Sequence, residues 1–247
     1  MLLTALVAPA HGEVERKRDL IVSFGGSISP PLLPRSGRAG VTVGVDARVR
    51  TADGRLPPAL QRITLDINAN GVLTHAGLPS CPIARLQPIS TQDALRACGE
   101  ALVGRGEAGG AILLPEQKPI PFEGRVVAFN GTLANGRRAI LAHLYTTTPF
   151  PLTFVLPFTI QRTAGTFGTR LVGLVPKNIR ERTHVTRLSL RLGRSYEVGG
   201  RGRSYLSAGC PAPKGFTTAT FPLLRASYGF DDGTTLSSVL IRTCHTR

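Results

Sequence analysis

Apolar and polar residues alternate along most of this chain, with the period of two that is typical of half-buried strands. In residues 41–49, VTVGVDARV, every odd position is apolar. Similar segments follow at residues 62–68, 110–115, 124–130, 138–146, 152–162, 167–176, 184–192, 223–230 and 235–243. Because almost no helical pattern separates them, we predict a mainly β fold, a single antiparallel β-sandwich or barrel-like body of about ten strands. This β-rich domain is expected to span residues 41–247.

Short turns punctuate these strands. Asn and Gly tolerate the positive φ that tight turns need, so an Asn or Asp followed by Gly predicts a turn. Such pairs occur at 53–54, 70–71, 130–131, 135–136 and 232–233. The fragments GLPSCP and SAGCPAP each follow a pair of predicted strands. This weak similarity between the two fragments is compatible with a domain of two related halves, with a break near 147–151.

One short segment has helical character instead. Ser90 followed by Asp93 forms a capping box, which predicts a helix over residues 91–103. Cys98 falls on the same face as Leu95 and Leu102, and Gly104 is in place to end the helix.

The chain has four cysteines, and four cysteines allow three pairings. We predict the disulfides Cys81–Cys98, which would fasten the helix to the preceding loop, and Cys210–Cys244, which would fasten the last strand. A metal site would need closely spaced cysteines or neighbouring histidines. The spacing here is long, so we predict no metal ligands.

The N-terminus indicates the compartment. The apolar run Leu2–Val7 leads into Ala8-Pro9-Ala10, a small-x-small pattern that suits signal peptidase. The usual basic start is missing, so residues 1–10 are interpreted as the remnant of a signal peptide whose true start lies upstream. Residues 11–40, rich in Pro and Gly, are predicted to be an extended N-terminal arm. We expect a secreted or cell-surface bacterial protein with no transmembrane segment in the mature chain.

The formal net charge of +15 raises the question of an anionic partner. In residues 184–192, leucines and arginines point to opposite sides of a predicted strand. A candidate anion-binding set follows from this stripe: Arg187, Arg191, Arg194, Arg201 and Arg203. Its partner would be an anionic envelope polymer or lipid, and nucleic acid is less favoured. The alternative is a solvated strand face.

No pattern of catalytic residues emerges. GRGEAG at 104–109 resembles a dinucleotide loop, but it follows a helix and precedes a strand, the reverse of what that site needs. We therefore predict no nucleotide and no cofactor. The histidines form no zinc motif, and His143 is interpreted as a strand residue. Glycoside hydrolysis uses a pair of acidic residues. The candidates for such a pair are Asp66, Glu116, Glu123, Asp231 and Asp232. None is favoured, so no catalytic residue is predicted.

Several segments resemble a family of uncharacterised exported proteins from GC-rich bacteria. They include FGGSISP, FEGRVVAFNG, TFVLPF, GTFGTRLVGLVP and SYLSAGCPAPKGF, and the resemblance runs from about Phe24 to the end. It implies export and carries no activity or site residue.

Three functions remain open after this reading. The first is an exported non-catalytic β protein, a structural or binding module of the cell envelope or exterior. An alternative is a carrier that holds an apolar, lipid-like ligand in a β-barrel or half-barrel, for which we expect a cavity above about 300 Å³. A further alternative is an enzyme with an unrecognised site.

Overall fold

The computed structural model describes residues 12–246, so the predicted signal remnant lies outside the described residues. The fold is mainly β, as the alternating pattern predicts, with α1 at Thr91–Cys98, a short α2 at Lys177–Arg180, and 3-10 turns at Ile83–Leu86 and Gly99–Ala101. The strands are β1 (Glu13–Lys17), β2 (Leu20–Ser29), β3 (Leu32–Leu33), β4 (Ala39–Gly40), β5 (Thr42–Thr51), β6 (Leu60–Asn68), β7 (Gly71–Leu73), β8 (Cys81–Pro82), β9 (Leu102–Ile112), β10 (Ile120–Thr132), β11 (Arg138–Thr146), β12 (Leu152–Arg162), β13 (Phe167–Leu174), β14 (Thr183–Leu192), β15 (Ser195–Val198), β16 (Arg201–Ser204), β17 (Leu206–Ala208), β18 (Thr218–Phe230) and β19 (Thr235–Thr246).

The main sheet is a curled half-barrel of 13 strands, not a simple sandwich. Its order is β1-β2-β5-β14-β9-β10-β11-β12-β13-β6-β18-β19-β3, with β8 beside β10. The prediction of a purely antiparallel body is wrong in two places, because β3 pairs with β19 and β8 with β10 in parallel. Both are two-residue strands that lie in loops, and their sequences carry no alternation from which a strand could be predicted.

The two ends of the curled sheet approach each other. Nε of Arg242 in β19 donates to the carbonyl oxygen of Gly26 in β2 at 2.8 Å. Gly26 suits this position because a Cβ there would lie 2.9 Å from Leu240 and 2.4 Å from the carbonyl oxygen of Gly44. Residues 13–29 of the expected arm are thus two strands of the main sheet.

The sheet has an apolar concave face and a convex face that is polar except where α1 covers it. In β14, Leu188, Leu190 and Leu192 pack toward the inside, as their alternation with the arginines predicts. The partners of Arg187 and Arg191 across the sheet are Arg48 and Arg105, so the arginines share the convex face.

Helix α1 packs on the convex face of β10 and β11, where a second apolar cluster includes Leu86, Phe129 and Leu141. Ser90 caps the helix as predicted: its Oγ accepts from the backbone N–H of Asp93 at 3.2 Å. The helix ends at Cys98, not at residue 103, because residues 102–112 pair with two neighbouring strands. The disulfide Cys81–Cys98 is formed, with an S–S distance of 1.98 Å.

A three-stranded sheet, β4-β17-β7, closes one end of the half-barrel, and we call it the floor. The predicted disulfide Cys210–Cys244 joins the segment after the floor to β19, with an S–S distance of 2.04 Å. The guanidinium of Arg35 donates to three carbonyl oxygens of the 212–216 loop, those of Ala212, Pro213 and Phe216.

The opposite end carries residues 174–182, which we call the cover. This segment leaves β13, forms α2 and returns into β14. Two backbone hydrogen bonds attach it: Val175 N–H to the carbonyl oxygen of Gln61 at 2.9 Å, and Leu113 N–H to that of Arg182 at 2.8 Å. Ile179 packs inward on the apolar cluster that contains Phe122 and Phe154.

The predicted turns divide into two groups. Gly136 and Gly233 adopt φ of 77° and 81° and close the β10–β11 and β18–β19 hairpins, as expected. The turn predicted at 130–131 is wrong, because both residues lie within β10. The side-chain amide of Asn130 does not stabilise a turn but binds a neighbouring loop, because its Nδ2 donates to the carbonyl oxygen of Pro79 at 2.9 Å. Within residues 12–246, no helix has the length and apolar character needed to cross a membrane.

Candidate functional site: an apolar cavity

The concave face of the half-barrel encloses a cavity of about 210 Å³ between the floor and the cover. Its walls come from strands all around the sheet and are almost wholly apolar. Leu73 and Leu206 face it from the floor, and Val175, Pro176 and Ile179 face it from the cover. The side walls include Phe24, Val43, Val45, Ile63, Leu65, Ile67, Ala142, Phe154, Leu156, Phe158, Leu188, Leu190, Leu192, Leu223 and Leu224.

Alternating residues in the sequence already mark these walls. Ile63, Leu65 and Ile67 line the cavity from β6, and the alternate leucines of β14 line it from across the barrel. The pattern identified them as core residues. It could not show that their side chains leave a space between them, because that depends on how far the sheet curls.

The polar residues in the wall lie toward the cover end. They are Thr183, Thr186, Arg187 and Tyr228. Thr183 is the first residue of β14, the strand that follows the cover. Tyr228 pairs with Ile63, which lies two positions after Gln61, and the carbonyl of Gln61 accepts a hydrogen bond from Val175 of the cover.

Tyr228 is the most unusual of these residues, because it is only 4% exposed and its hydroxyl has no hydrogen-bond partner. Its ring makes an edge-on contact with Phe24, with 6.3 Å between ring centroids. Burial raises the pKa of Tyr228 far above its ordinary value, so the hydroxyl stays protonated and can donate a hydrogen bond. A buried hydroxyl without a partner is costly, and a ligand or water molecule would relieve that cost.

Of the predicted anion-binding arginines only Arg187 belongs to the cavity wall, and its guanidinium is engaged on the convex side. Nη2 of Arg187 donates to Oε1 of Glu123 on the convex side at 2.8 Å, and Arg191 is exposed there. Arg194 is engaged within the protein: its Nη1 donates hydrogen bonds to the carbonyl oxygens of Glu100 at 2.5 Å and of Leu102 at 2.9 Å.

The remaining two arginines of that set, Arg201 and Arg203, lie on the separate β15–β16 hairpin. The structure therefore places Arg187 and Arg191 on the main sheet and Arg201 and Arg203 on the hairpin, and it gives Arg194, in the connection between them, a structural role. Anion binding by the others stays a prediction.

Asp66, one of the carboxylates considered for catalysis, is held in a structural ion pair. It is 1% exposed on β6, between Arg170 of β13 and Arg225 of β18. Nε of Arg170 donates at 2.6 Å and Nη2 of Arg225 at 2.7 Å. Burial works to raise the pKa of Asp66, but the hydrogen bonds and charges of the two arginines outweigh it and leave the pKa below its ordinary value. A carboxylate fixed in this ionised form is a poor general acid.

Two histidines lie away from the cavity, His143 buried and His75 half-buried. His143 is fully buried under α1, where its Nε2 lies 3.0 Å from the carbonyl oxygen of Ile89. His75 lies in the loop that follows the floor strand β7, and its Nδ1 is 2.9 Å from Oδ1 of Asn130. Burial lowers the pKa of both histidines. They are neutral at pH 7 and serve packing, which agrees with the interpretation of His143 as a strand residue.

Within the part of the chain that the structure describes, no three or more His, Cys, Asp or Glu side chains lie close enough together to hold a metal ion. Comparison with protein-family models, with curated proteins and with solved structures finds no match to this chain. The resemblance to exported bacterial proteins therefore stays a prediction.

Proposed function

We propose that this protein is an exported, non-catalytic binding module that carries an apolar, lipid-like ligand inside its half-barrel. The observation that supports it best is the apolar cavity that runs between the floor and the cover. Two disulfides fit an oxidising compartment, where such bonds persist.

The energetics of an empty cavity favour a ligand. Protein interiors are normally close-packed, and voids larger than a water molecule are few. At about 24 cal/mol per Å³ of void, a cavity of about 210 Å³ costs on the order of 5 kcal/mol. That cost is comparable to the whole stability of many domains. An apolar ligand that fills the space offsets the cost, whereas water gains too few hydrogen bonds from these walls.

The size of the cavity limits the ligand. It is smaller than the 300 Å³ or more that we expect of a carrier, a range typical of drug-sized ligands. We infer that the ligand is slender, a single hydrocarbon chain and not a fused-ring or two-chain molecule.

The experiment is a titration with dodecanol of protein loaded with 1,6-diphenylhexatriene, a slender apolar fluorophore. We expect saturable displacement by wild-type protein. Ala142→Phe places a ring in the cavity from β11 and is expected to abolish binding of both probes. The matched control, Val239→Phe, adds the same ring on the exposed side of β19 and is expected to bind normally.

Circular dichroism and thermal melting check that each variant is folded. If Ala142→Phe does not fold, Leu65→Phe places the obstruction on β6 instead. Wild-type protein that binds neither probe, or a folded cavity variant that binds as well as wild type, would overturn the proposal.

A further inference from the structure

The geometry points to a single-chain amphipathic anion as the ligand, with its hydrocarbon tail in the cavity and its anionic head at the cover. This inference rests on the proposed function and specifies which apolar ligand the half-barrel takes. It follows from the distribution of polarity along the cavity and from the charges on the cover.

The cavity has one apolar end and one mixed end. At the floor its walls are Leu73, Leu206 and Leu223, whereas Thr183, Thr186 and Tyr228, whose hydroxyl has no partner, come from the strand positions nearer the cover. A molecule with a hydrocarbon tail and a polar head matches this gradient in only one direction. The tail points to the floor and the head to the cover.

The cover itself is amphipathic. Ile179 and Pro176 face the cavity, while Lys177, Arg180 and Arg182 are the basic residues of the same segment. Its acidic residue, Glu181, is paired with Lys177, with 3.5 Å between Nζ and Oε1. Among residues 12–246, the side chains of Arg180 and Arg182 have no ion-pair partner.

Two guanidinium groups without an ion-pair partner on the segment that covers this end of the cavity favour an anionic head. Arginine binds carboxylate and phosphate oxygens through charge-assisted hydrogen bonds in a fork geometry. A cationic head would meet like charge at this position, and a neutral head would leave both guanidinium groups without a partner. A fatty-acid carboxylate and a lipid phosphate share the required chemistry.

The test compares probes with the same tail and different heads: dodecanoate, dodecanol and dodecylamine. Each probe is titrated into the full protein loaded with 1,6-diphenylhexatriene, at low ionic strength, and the displacement of the fluorophore is measured. We expect dodecanoate to bind about two- to fivefold more tightly than dodecanol, the range expected for partly exposed ion pairs. Dodecylamine should bind more weakly than dodecanol, and added salt should reduce both differences.

The variant Arg180→Gln/Arg182→Gln is expected to remove the preference for dodecanoate while leaving the affinity for dodecanol unchanged. Arg201→Gln/Arg203→Gln on the distant β15–β16 hairpin removes the same net charge and should keep the preference. All four residues lie at the surface or near it, so both variants are expected to fold.

The outcomes separate this inference from the proposed function. Equal affinities for dodecanoate and dodecanol, or loss of the preference in the hairpin variant as well, would overturn the anionic head while leaving an apolar carrier. Failure of all three probes to bind would overturn both. Dodecyl phosphate is the fourth probe, and it separates the two anionic heads. If dodecyl phosphate binds most tightly, the ligand is a phosphate lipid. If dodecanoate binds most tightly, the ligand is a free fatty acid, and either result supports the inference.

Discussion

The floor and the cover close opposite ends of one half-barrel by different physical means. The floor is a three-stranded sheet whose following segment is tied to β19 by Cys210–Cys244 and by the Arg35 hydrogen bonds. The cover is a single segment whose helix α2 has only four residues and no side-chain cap. One end is covalently restrained, and the other depends on two backbone hydrogen bonds and the packing of Ile179.

This difference indicates where a ligand would enter. Opening the floor requires the loss of strand pairing, whereas lifting the cover breaks little secondary structure. Segments with few buried contacts open at lower free energy than the core. We therefore expect the floor to determine the stability of the protein and the cover to determine the rate at which a ligand exchanges.

The largest effect is expected from removing the floor disulfide. Cys210–Cys244 has a sequence separation of 34, and in the chain-entropy model closing a loop of that size is worth about 4 kcal/mol. The variant Cys210→Ser/Cys244→Ser should therefore unfold at much lower denaturant concentration than wild type. Cys81→Ser/Cys98→Ser, on the convex face, is the control: it should lose about 3 kcal/mol of stability while binding 1,6-diphenylhexatriene normally. A floor variant with unchanged denaturation midpoint would contradict the comparison.

A core truncation at the floor comes next. Leu206 is 6% exposed, and Leu206→Ala should lower the free energy of unfolding by about 2–4 kcal/mol, because a buried leucine loses its packing. Equilibrium unfolding in urea measures this change. A loss below about 1 kcal/mol would show that the floor contributes less to stability than its burial indicates.

The corresponding truncation at the cover should behave differently. Ile179 is half-buried, so Ile179→Ala is expected to cost about 1 kcal/mol of stability. Its larger effect should be kinetic, with 1,6-diphenylhexatriene released several-fold faster in stopped-flow fluorescence because the cover opens more readily. If Leu206→Ala accelerated release as much as Ile179→Ala, the assignment of the cover as the route of exchange would be wrong.

The smallest expected effect is a pH dependence that arises at the floor and on the convex face. Burial lowers the pKa of His75 and His143, so the unfolded chain binds more protons than the folded one once the pH falls below about 6.5. Stability is complete above that pH and declines as the pH falls further. Urea midpoints at pH 7.5 and pH 5.5 measure it, and His143→Gln should flatten the decline. An unchanged slope in that variant would exclude His143 as a source.

Local signals predicted much of this fold correctly. The alternation in β6 and β14 identified strands and their buried faces, and the box formed by Ser90 and Asp93 identified the start of α1. Both disulfides pair as the positions of the cysteines indicated. These features depend on residues close in sequence or on geometry that is the same in many folds.

The errors occurred where distant strands compete for a residue. Leu102 continues a helical pattern, but pairing of β9 with both β10 and β14 makes it a strand residue. Asn130 and Gly131 form a good turn pair, yet the amide of Asn130 is needed by the loop at 78–79. The candidate anion-binding arginines were predicted from local charge alone. The hydrogen bonds from Arg194 to the backbone of residues 99–102 could therefore not be foreseen.

By itself, the sequence determined that the chain is mainly β and which faces of its strands are apolar, and it indicated the cysteine pairing that the structure shows. These properties follow from side-chain periodicity and from short-range chain geometry. The tertiary structure alone decided that the sheet curls into a half-barrel, that its apolar side chains leave a cavity, and that a floor and a cover close it. Curvature and packing arise from contacts between residues far apart in the chain, and a pattern with a period of two is the same for a flat sheet as for a curled one.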